Sequence, residues 1–226
     1  MLNPDYQVKV MGDEERTQMV AAHAPGLLAV YTKLKPTERN DFWSYLTLYL
    51  FGGWYVDHDV KCVKPFDDFA ANFNGNASAI VGIEAVLNNQ ANRNQIGFCC
   101  PVQYCHWVMG SAPGHVLFGH VVDLMLDFQT IAAADPNSAP GKQKDIPVVS
   151  TGPGILTKAV EHFMALFDVY TIDVALEAPE MVADLGVMPA TAVAAGGYGT
   201  EDNTPELVYV RHMFAGTWKH GNSGSW

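Results

Sequence analysis

Phe51-Gly52-Gly53-Trp54-Tyr55-Val56-Asp57-His58-Asp59 is the stretch on which the reading of this chain turns. Residues 41–51 before it are apolar and aromatic with the length of a helix, and Gly52-Gly53 supplies the left-handed residues that close a helix C-terminus. Trp54-Tyr55-Val56 is bulky and β-prone, as a buried strand requires. Asp57 and Asp59 stand where that strand leaves the core. Residues two apart in an extended backbone point to the same side, so the two carboxylates converge. Convergence of like charges is costly unless a cation lies between them. Oxygen ligands of this kind suit a hard divalent ion such as Mg²⁺ or Mn²⁺. Taken alone, the tripeptide also fits a solvated turn.

Working outward, residues 3–10 read as an extended piece, and Gly12-Asp13-Glu14-Glu15 opens a helix over 13–23 with acids in its first turn. Pro25-Gly26 interrupts, a second short helix is expected over 27–34, and Pro36-Thr37-Glu38 starts the helix that runs into the glycine pair. Downstream, residues 63–69 read as a turn and short helix, 78–83 as a strand and 88–95 as an amide-rich loop. Residues 97–109 are apolar and aromatic, and an amphipathic helix is expected over 115–129. Residues 132–145 read as a loop, 148–149 as a short strand, and Thr151-Gly152-Pro153-Gly154 as a turn feeding a helix over 155–167. Short strands are expected at 169–174 and 187–188, a glycine-rich loop at 190–203, and a strand carrying Arg211 and His212 at 207–213. No repeat or second composition block appears, so residues 1–226 are read as a single domain. Strands alternating with helices, with ligand groups at strand ends, predict an α/β open sheet of the nucleotide-binding kind.

Composition narrows the function. Of 226 residues, 49% are hydrophobic and only 16% charged, which indicates a globular chain with a substantial core. A net charge of −11 argues against a nucleic-acid partner, which would need a basic surface. An acidic protein still binds a nucleotide diphosphate if a metal ion mediates. Met1-Leu2-Asn3-Pro4 does not read as a secretory signal, and the apolar stretch at 21–31 is broken by His23, Pro25 and Gly26, so no membrane segment is expected. Cys62, Cys99, Cys100 and Cys105 lack zinc-type spacing and are read as buried free thiols, with one disulfide left open for a lumenal protein.

The pattern resembles the sugar-nucleotide site of the family 32 glycosyltransferases. There an R-x-D helix leads into a GG-x-Y-x-D-x-D strand and an L-K-P turn; here the matching residues are Arg39-Asn40-Asp41, 52–59 and Val63-Lys64-Pro65. Gln103-Tyr104-Cys105-His106-Trp107 with Ala112-Pro113-Gly114-His115 resembles the Q-x-C-Q-W … K-P-G-H segment of one branch, the fungal Golgi initiating α-1,6-mannosyltransferases. Residues 151–157 resemble that branch's T-G-P-G-x-x-T turn, and residues 210–219 its V-x-H-x-F-x-G-[ST]-W-K ending. Asn3-Pro4-Asp5-Tyr6 resembles an early family segment.

The resemblance implies a GT-A fold and a metal-dependent retaining transfer. The donor would be GDP-mannose or, alternatively, a UDP-sugar, and the acceptor a glycan or glycoprotein. It further implies a Golgi location and complexes with other glycosyltransferases, or else a non-catalytic binding relative. Asp57, Asp59 and His212 would hold Mn²⁺ or Mg²⁺, and Asp41 would accept hydrogen bonds from donor-sugar hydroxyls. Tyr55, Gly152 and Trp218 would line the donor, and Lys219 would meet a phosphate. His106, His115 and His120 are read as structural. Ser44 stands where the family carries a donor-contacting Arg, and the family's opening I-P-x-x-I-H-x-x-W strand finds no match, so a sheet without its first strand is expected.

Overall fold

The computed structural model describes residues 2–87, 98–170, 178–195 and 205–215. Helix α1 (Asp13–His23) starts where expected, its first-turn Glu15 folding back to accept the Gly12 N–H at 2.8 Å. A 3₁₀ turn at Pro25–Leu27 and a single turn α2 (Leu28–Tyr31) lead to α3 (Pro36–Phe51). Pro36 opens α3 at the position where its missing N–H costs nothing, and Glu38 accepts the Lys35 N–H at 2.8 Å. Gly52 closes it with φ +67°, where a Cβ would lie 2.6 Å from the Ser111 carbonyl oxygen.

Strand β1 (Gly53–Val56) follows, then β2 (Val60–Cys62), α4 (Phe66–Ala71), β3 (Ala79–Val86) and β4 (Val102–Ser111). The long helix α5 (Val116–Ala134) is followed by short α6 (Ala139–Gln143) and α7 (Pro147–Ser150), and by α8 (Pro153–Ala165). The described chain ends with β5 (Glu180–Val182), β6 (Leu185–Met188), α9 (Ala190–Val193) and β7 (Val210–His212). The main sheet has the order β1-β4-β3-β6-β5, with β3 and β6 parallel and the other pairs antiparallel. A separate antiparallel ribbon joins β2 to β7, with Val60 opposite His212. This mixed α/β open sheet is the fold class expected from the sequence.

Alternation along β3 divides the core. Ala79, Val81 and Ile83 join Phe42, Tyr45, Leu117, Phe118 and Leu156 from α3, α5 and α8 on one face, while Ile80 faces Phe66, Phe69, Trp107 and Val193 on the other. The catalytic candidates lie at the edge of this second, smaller core, where the β2–β7 ribbon meets β1 and β4.

Several local expectations need correction. Residues 132–145 are not one loop, because α5 continues to Ala134 and Ser138 caps α6 by accepting the Gly141 N–H. Residues 148–149 lie in α7, not in a strand: Ser150 N–H bonds back to the Ile146 carbonyl, a helical connection that β-prone valines do not announce. Residues 190–193 form α9 within the expected loop, and residues 3–10 pair with no strand among the described residues. Cys99 and Cys100 form a vicinal disulfide, while Cys62 and Cys105 are free thiols. Contrary to the expectation of no span, α5 is long and apolar enough, by length and composition, to cross a membrane. Here Leu117, Phe118, Val121 and Met125 bury its apolar side in the protein core. The expected loop at 88–95 lies outside the described residues, as do 171–174 of the expected strand and 196–203 of the glycine-rich loop.

Candidate active site

The site is assembled where β1 ends. Asp57 N–H donates to the Trp107 carbonyl at 2.9 Å, and Val60 N–H to the Asp57 carbonyl at 3.0 Å. These bonds bend the chain sharply after the strand and aim both aspartates at the same space. The β2–β7 pairing then carries His212 back from the far end of the chain. Met213 N–H donates to the Asp59 carbonyl at 2.8 Å and Ala215 N–H to Asp59 Oδ2 at 3.1 Å, so the chain after His212 is laced to Asp59. Ligand atoms of Asp57, Asp59 and His212 all lie within 4.8 Å of one another.

That spacing fits one cation. Oxygens and nitrogens bound at about 2.1 Å to a small divalent ion are about 3–4 Å apart, and His212 Nε2 lies 3.2 Å from Asp59 Oδ1. A set of two carboxylates and an imidazole suits Mn²⁺ or Mg²⁺. Burial pushes the Asp57 carboxyl above its ordinary range, with His106 and Tyr55 opposing the shift. Burial likewise lowers His212, against the pull of Asp59 and Asp57, which favours the neutral, ligating form.

Each candidate ligand is held from behind. Tyr55 O–H donates to Asp57 Oδ1 at 2.5 Å and accepts from Asn40 Nδ2 at 2.8 Å, and Arg16 donates to Asn40 Oδ1 at 2.6 Å. His212 stacks on Trp107 and meets the Phe214 ring edge-on at 4.2 Å between centroids. Such outer contacts orient a metal ligand before the ion arrives.

Asp41 lies near enough to Asp57 to raise its carboxyl, and is only 3% exposed. Thr151 Oγ1 donates to Asp41 Oδ2 at 2.6 Å, and His106 Nε2 lies 3.4 Å from Oδ1. Burial alone would lower the His106 imidazole, but the Asp41 pairing, with Asp57 and Glu84 nearby, raises it to about 9. Glu84, half-buried on β3 and accepting from Gln103 Nε2 at 2.8 Å, is raised to about 7 by desolvation.

The structure therefore brings together Asp41, Tyr55, Asp57, Asp59 and His212. Gly152 sits beside Asp41, but its N–H donates to the Pro147 carbonyl at 2.8 Å and its carbonyl accepts from Tyr45 O–H at 3.3 Å, so neither points freely at a donor. Ser44 is fully buried, its hydroxyl donating to the Asp41 carbonyl at 2.7 Å. Trp218 and Lys219 lie outside the described residues. Reasoning from sequence read His106 as structural and Trp107 as core, whereas the first meets Asp41 and the second carries His212. For His106 a signal was present, since this chain puts a histidine where the resembling Q-x-C-Q-W segment has its second glutamine. His115 and His120 remain away from the site, the first capping α5 by accepting the Leu117 N–H and the second 2.9 Å from His162 on the helix surface.

Residues 1–75, which include the α3–β1 corner and both aspartates, match the family described as "Glycosyltransferase sugar-binding region containing DXD motif". The matched region is thus the one that carries the corner and both aspartates, as the motifs implied. More particularly, the chain is 29% identical over 231 residues to the initiation-specific α-1,6-mannosyltransferase of Schizosaccharomyces pombe, covering 96% of the chain and 57% of that protein. It is 25% identical over 248 residues to the Candida albicans protein of the same name, covering 96% of the chain and 64% of that relative. A shorter stretch of 67 residues is 36% identical to inositol phosphoceramide mannosyltransferase 3 of Schizosaccharomyces pombe, covering 29% of the chain and 19% of that protein. The chain thus spans less than two thirds of the length of the initiation-specific relatives it matches.

Proposed function

We propose that this chain is a metal-dependent, retaining hexosyltransferase that moves mannose from GDP-mannose to a glycan acceptor, as an α-1,6-mannosyltransferase does. One observation carries the reading: Asp57, Asp59 and His212, remote in sequence, bring their ligand atoms within 4.8 Å of one another beside the buried acid Asp41. Mannose comes from the names of the relatives, and the guanine nucleotide and retention of configuration from the resemblance to their family.

A divalent ion bound there would neutralise charge on the departing nucleotide diphosphate. The chain's own residues do the rest. Asp57 and Asp59 give an otherwise repulsive acidic site its affinity for the cation, Tyr55 fixes the Asp57 rotamer, and His212 offers a neutral nitrogen. Asp41, already engaged by Thr151 and His106, accepts hydrogen bonds from donor-sugar hydroxyls. A location in the Golgi lumen, alone or in a complex with other glycosyltransferases, belongs to the same proposal. Protection from added protease in sealed Golgi vesicles tests it.

The decisive assay is nucleotide release from a panel of GDP- and UDP-sugars, with Mn²⁺ and with EDTA. Release from GDP-mannose that needs the metal and disappears in Asp59→Ala is expected. Release from a UDP-sugar alone would overturn the mannose assignment, and release from no donor would overturn the enzymatic reading.

A further inference from the structure

An ionised carboxylate buried as deeply as Asp41 needs a partner of opposite charge, because it has lost its hydration. The helix that carries it does not supply one. Three residues on, where the resembling enzymes have an arginine, stands Ser44, whose hydroxyl is used on the Asp41 main-chain carbonyl. The basic residues of the neighbouring helical turns are engaged elsewhere, Arg16 and Arg39 both pairing with Asp13.

The partner comes from the sheet instead. His106, on β4, puts Nε2 3.4 Å from Asp41 Oδ1, and among the described residues it is the basic side chain within ion-pair reach of that carboxylate. With Thr151 donating to Oδ2, both carboxylate oxygens are held. Nδ1 of the same ring is buried without a hydrogen-bond partner. The polar contact that fixes the ring is therefore the one from Nε2 to Asp41.

We propose that His106 is the positioning residue for Asp41, supplying from β4 the cation that Ser44 does not supply from α3, and so holding the carboxylate oriented for the hydroxyls of a donor sugar. The assignment rests on the glycosyltransferase reading of the site. Its consequence is a division of labour. His106 acts through Asp41 on the sugar, whereas the Asp57–Asp59–His212 cluster acts through a metal on the diphosphate. The charge on His106, held to about pH 9, covers the whole neutral range.

The test compares binding of GDP-mannose with binding of GDP, both with Mn²⁺, in the wild-type chain, His106→Gln and His106→Gln/Ser44→Arg. The glutamine variant keeps a hydrogen-bond donor without the charge, and the double variant returns a cation from the helix. We expect His106→Gln to weaken GDP-mannose binding by about tenfold or more while leaving GDP within about twofold, and the arginine to restore part of the loss. Equal weakening of both ligands, or of neither, overturns the proposal. If the double variant does not fold, ¹⁵N imidazole spectra decide. The His106 ring of the wild-type chain should stay protonated past pH 8 and lose that protection in Asp41→Asn; a ring that titrates in the ordinary range overturns the pairing. Failure of the wild-type chain to bind either ligand would overturn the glycosyltransferase reading together with the sugar-positioning role, and a raised imidazole titration would then mark the pair as one that serves folding only.

Discussion

The imidazole of His212 lies face to face with the indole of Trp107, with ring centroids 4.5 Å apart and planes only 10° from parallel. The indole is itself fixed, its N–H donating to the Val193 carbonyl at 3.0 Å. The stack decides which edge of the imidazole meets Asp59, and so whether the proposed third ligand would be in place before a metal binds.

Trp107→Ala should therefore weaken Mn²⁺ binding about tenfold or more through His212 alone, since no ligand is removed. It should also cost roughly 3–5 kcal/mol of stability, because Trp107 is buried and leaves a cavity. Trp107→Phe retains a ring face and should bind Mn²⁺ nearly as the wild type does. Calorimetric titration of the metal checks both, and an alanine variant with unchanged affinity would refute the orienting role.

Removing the metal should reveal what the acidic site costs. Asp57 is raised by burial, and a carboxyl whose folded pKa exceeds its unfolded one loses stability as pH rises through the folded value. In EDTA at pH 7.5, Asp57→Asn should melt at or above the wild-type temperature, since the amide oxygen still accepts the Tyr55 O–H. With Mn²⁺ at about 100 times its dissociation constant the wild type should gain about 2.7 kcal/mol and the variant little. Thermal scans with and without the ion measure this, and a variant that melts well below the wild type in EDTA would show Asp57 to be structural.

Glu84 gives a pH-dependent prediction of known sign. Desolvation raises its carboxyl from 4.5 to about 7, against opposition from Gln103 and His106. Its contribution to stability is present below about pH 4.5 and lost as pH rises through about 7. Glu84→Gln should be more stable than the wild type at pH 8, and the difference should close on acidification. Denaturant midpoints across that range test it; a constant difference would mean that Glu84 does not ionise there.

Gly52→Ala should destabilise by about 2 kcal/mol. The position has φ +67°, and a Cβ would stand 2.6 Å from the Ser111 carbonyl oxygen and 2.8 Å from the Pro113 nitrogen, neither of which is free to move far. Gly53→Ala, at φ +86° but with nothing within 4 Å, should cost less. Equal costs at the two sites would show that backbone conformation, not the contact with β4, sets the penalty.

How much of this was legible in advance follows from the range of the forces involved. The α3–Gly52–β1 corner and the convergence of Asp57 and Asp59 depend on neighbours within a few residues: an apolar helical run, a left-handed stop, and a two-residue side-chain period. Those are written in residues 41–59. The short helix at 147–150 misled because two valines favour strands only weakly, and the bond from Ser150 N–H to the Ile146 carbonyl outweighs that preference.

The sequence by itself determined that two carboxylates would meet at a strand end behind a glycine-closed helix, because local backbone geometry is enough to put them there. Only the tertiary structure decided what meets them. His106 and Trp107 are adjacent on β4, yet one faces Asp41 and the other carries His212. Which does which depends on a register that shifts between Ile80 and Gly82 and again between Ile83 and Ala85. A one-residue slip would exchange the two faces, and pairing with β1 and β3, not the order of residues in β4, prevents it.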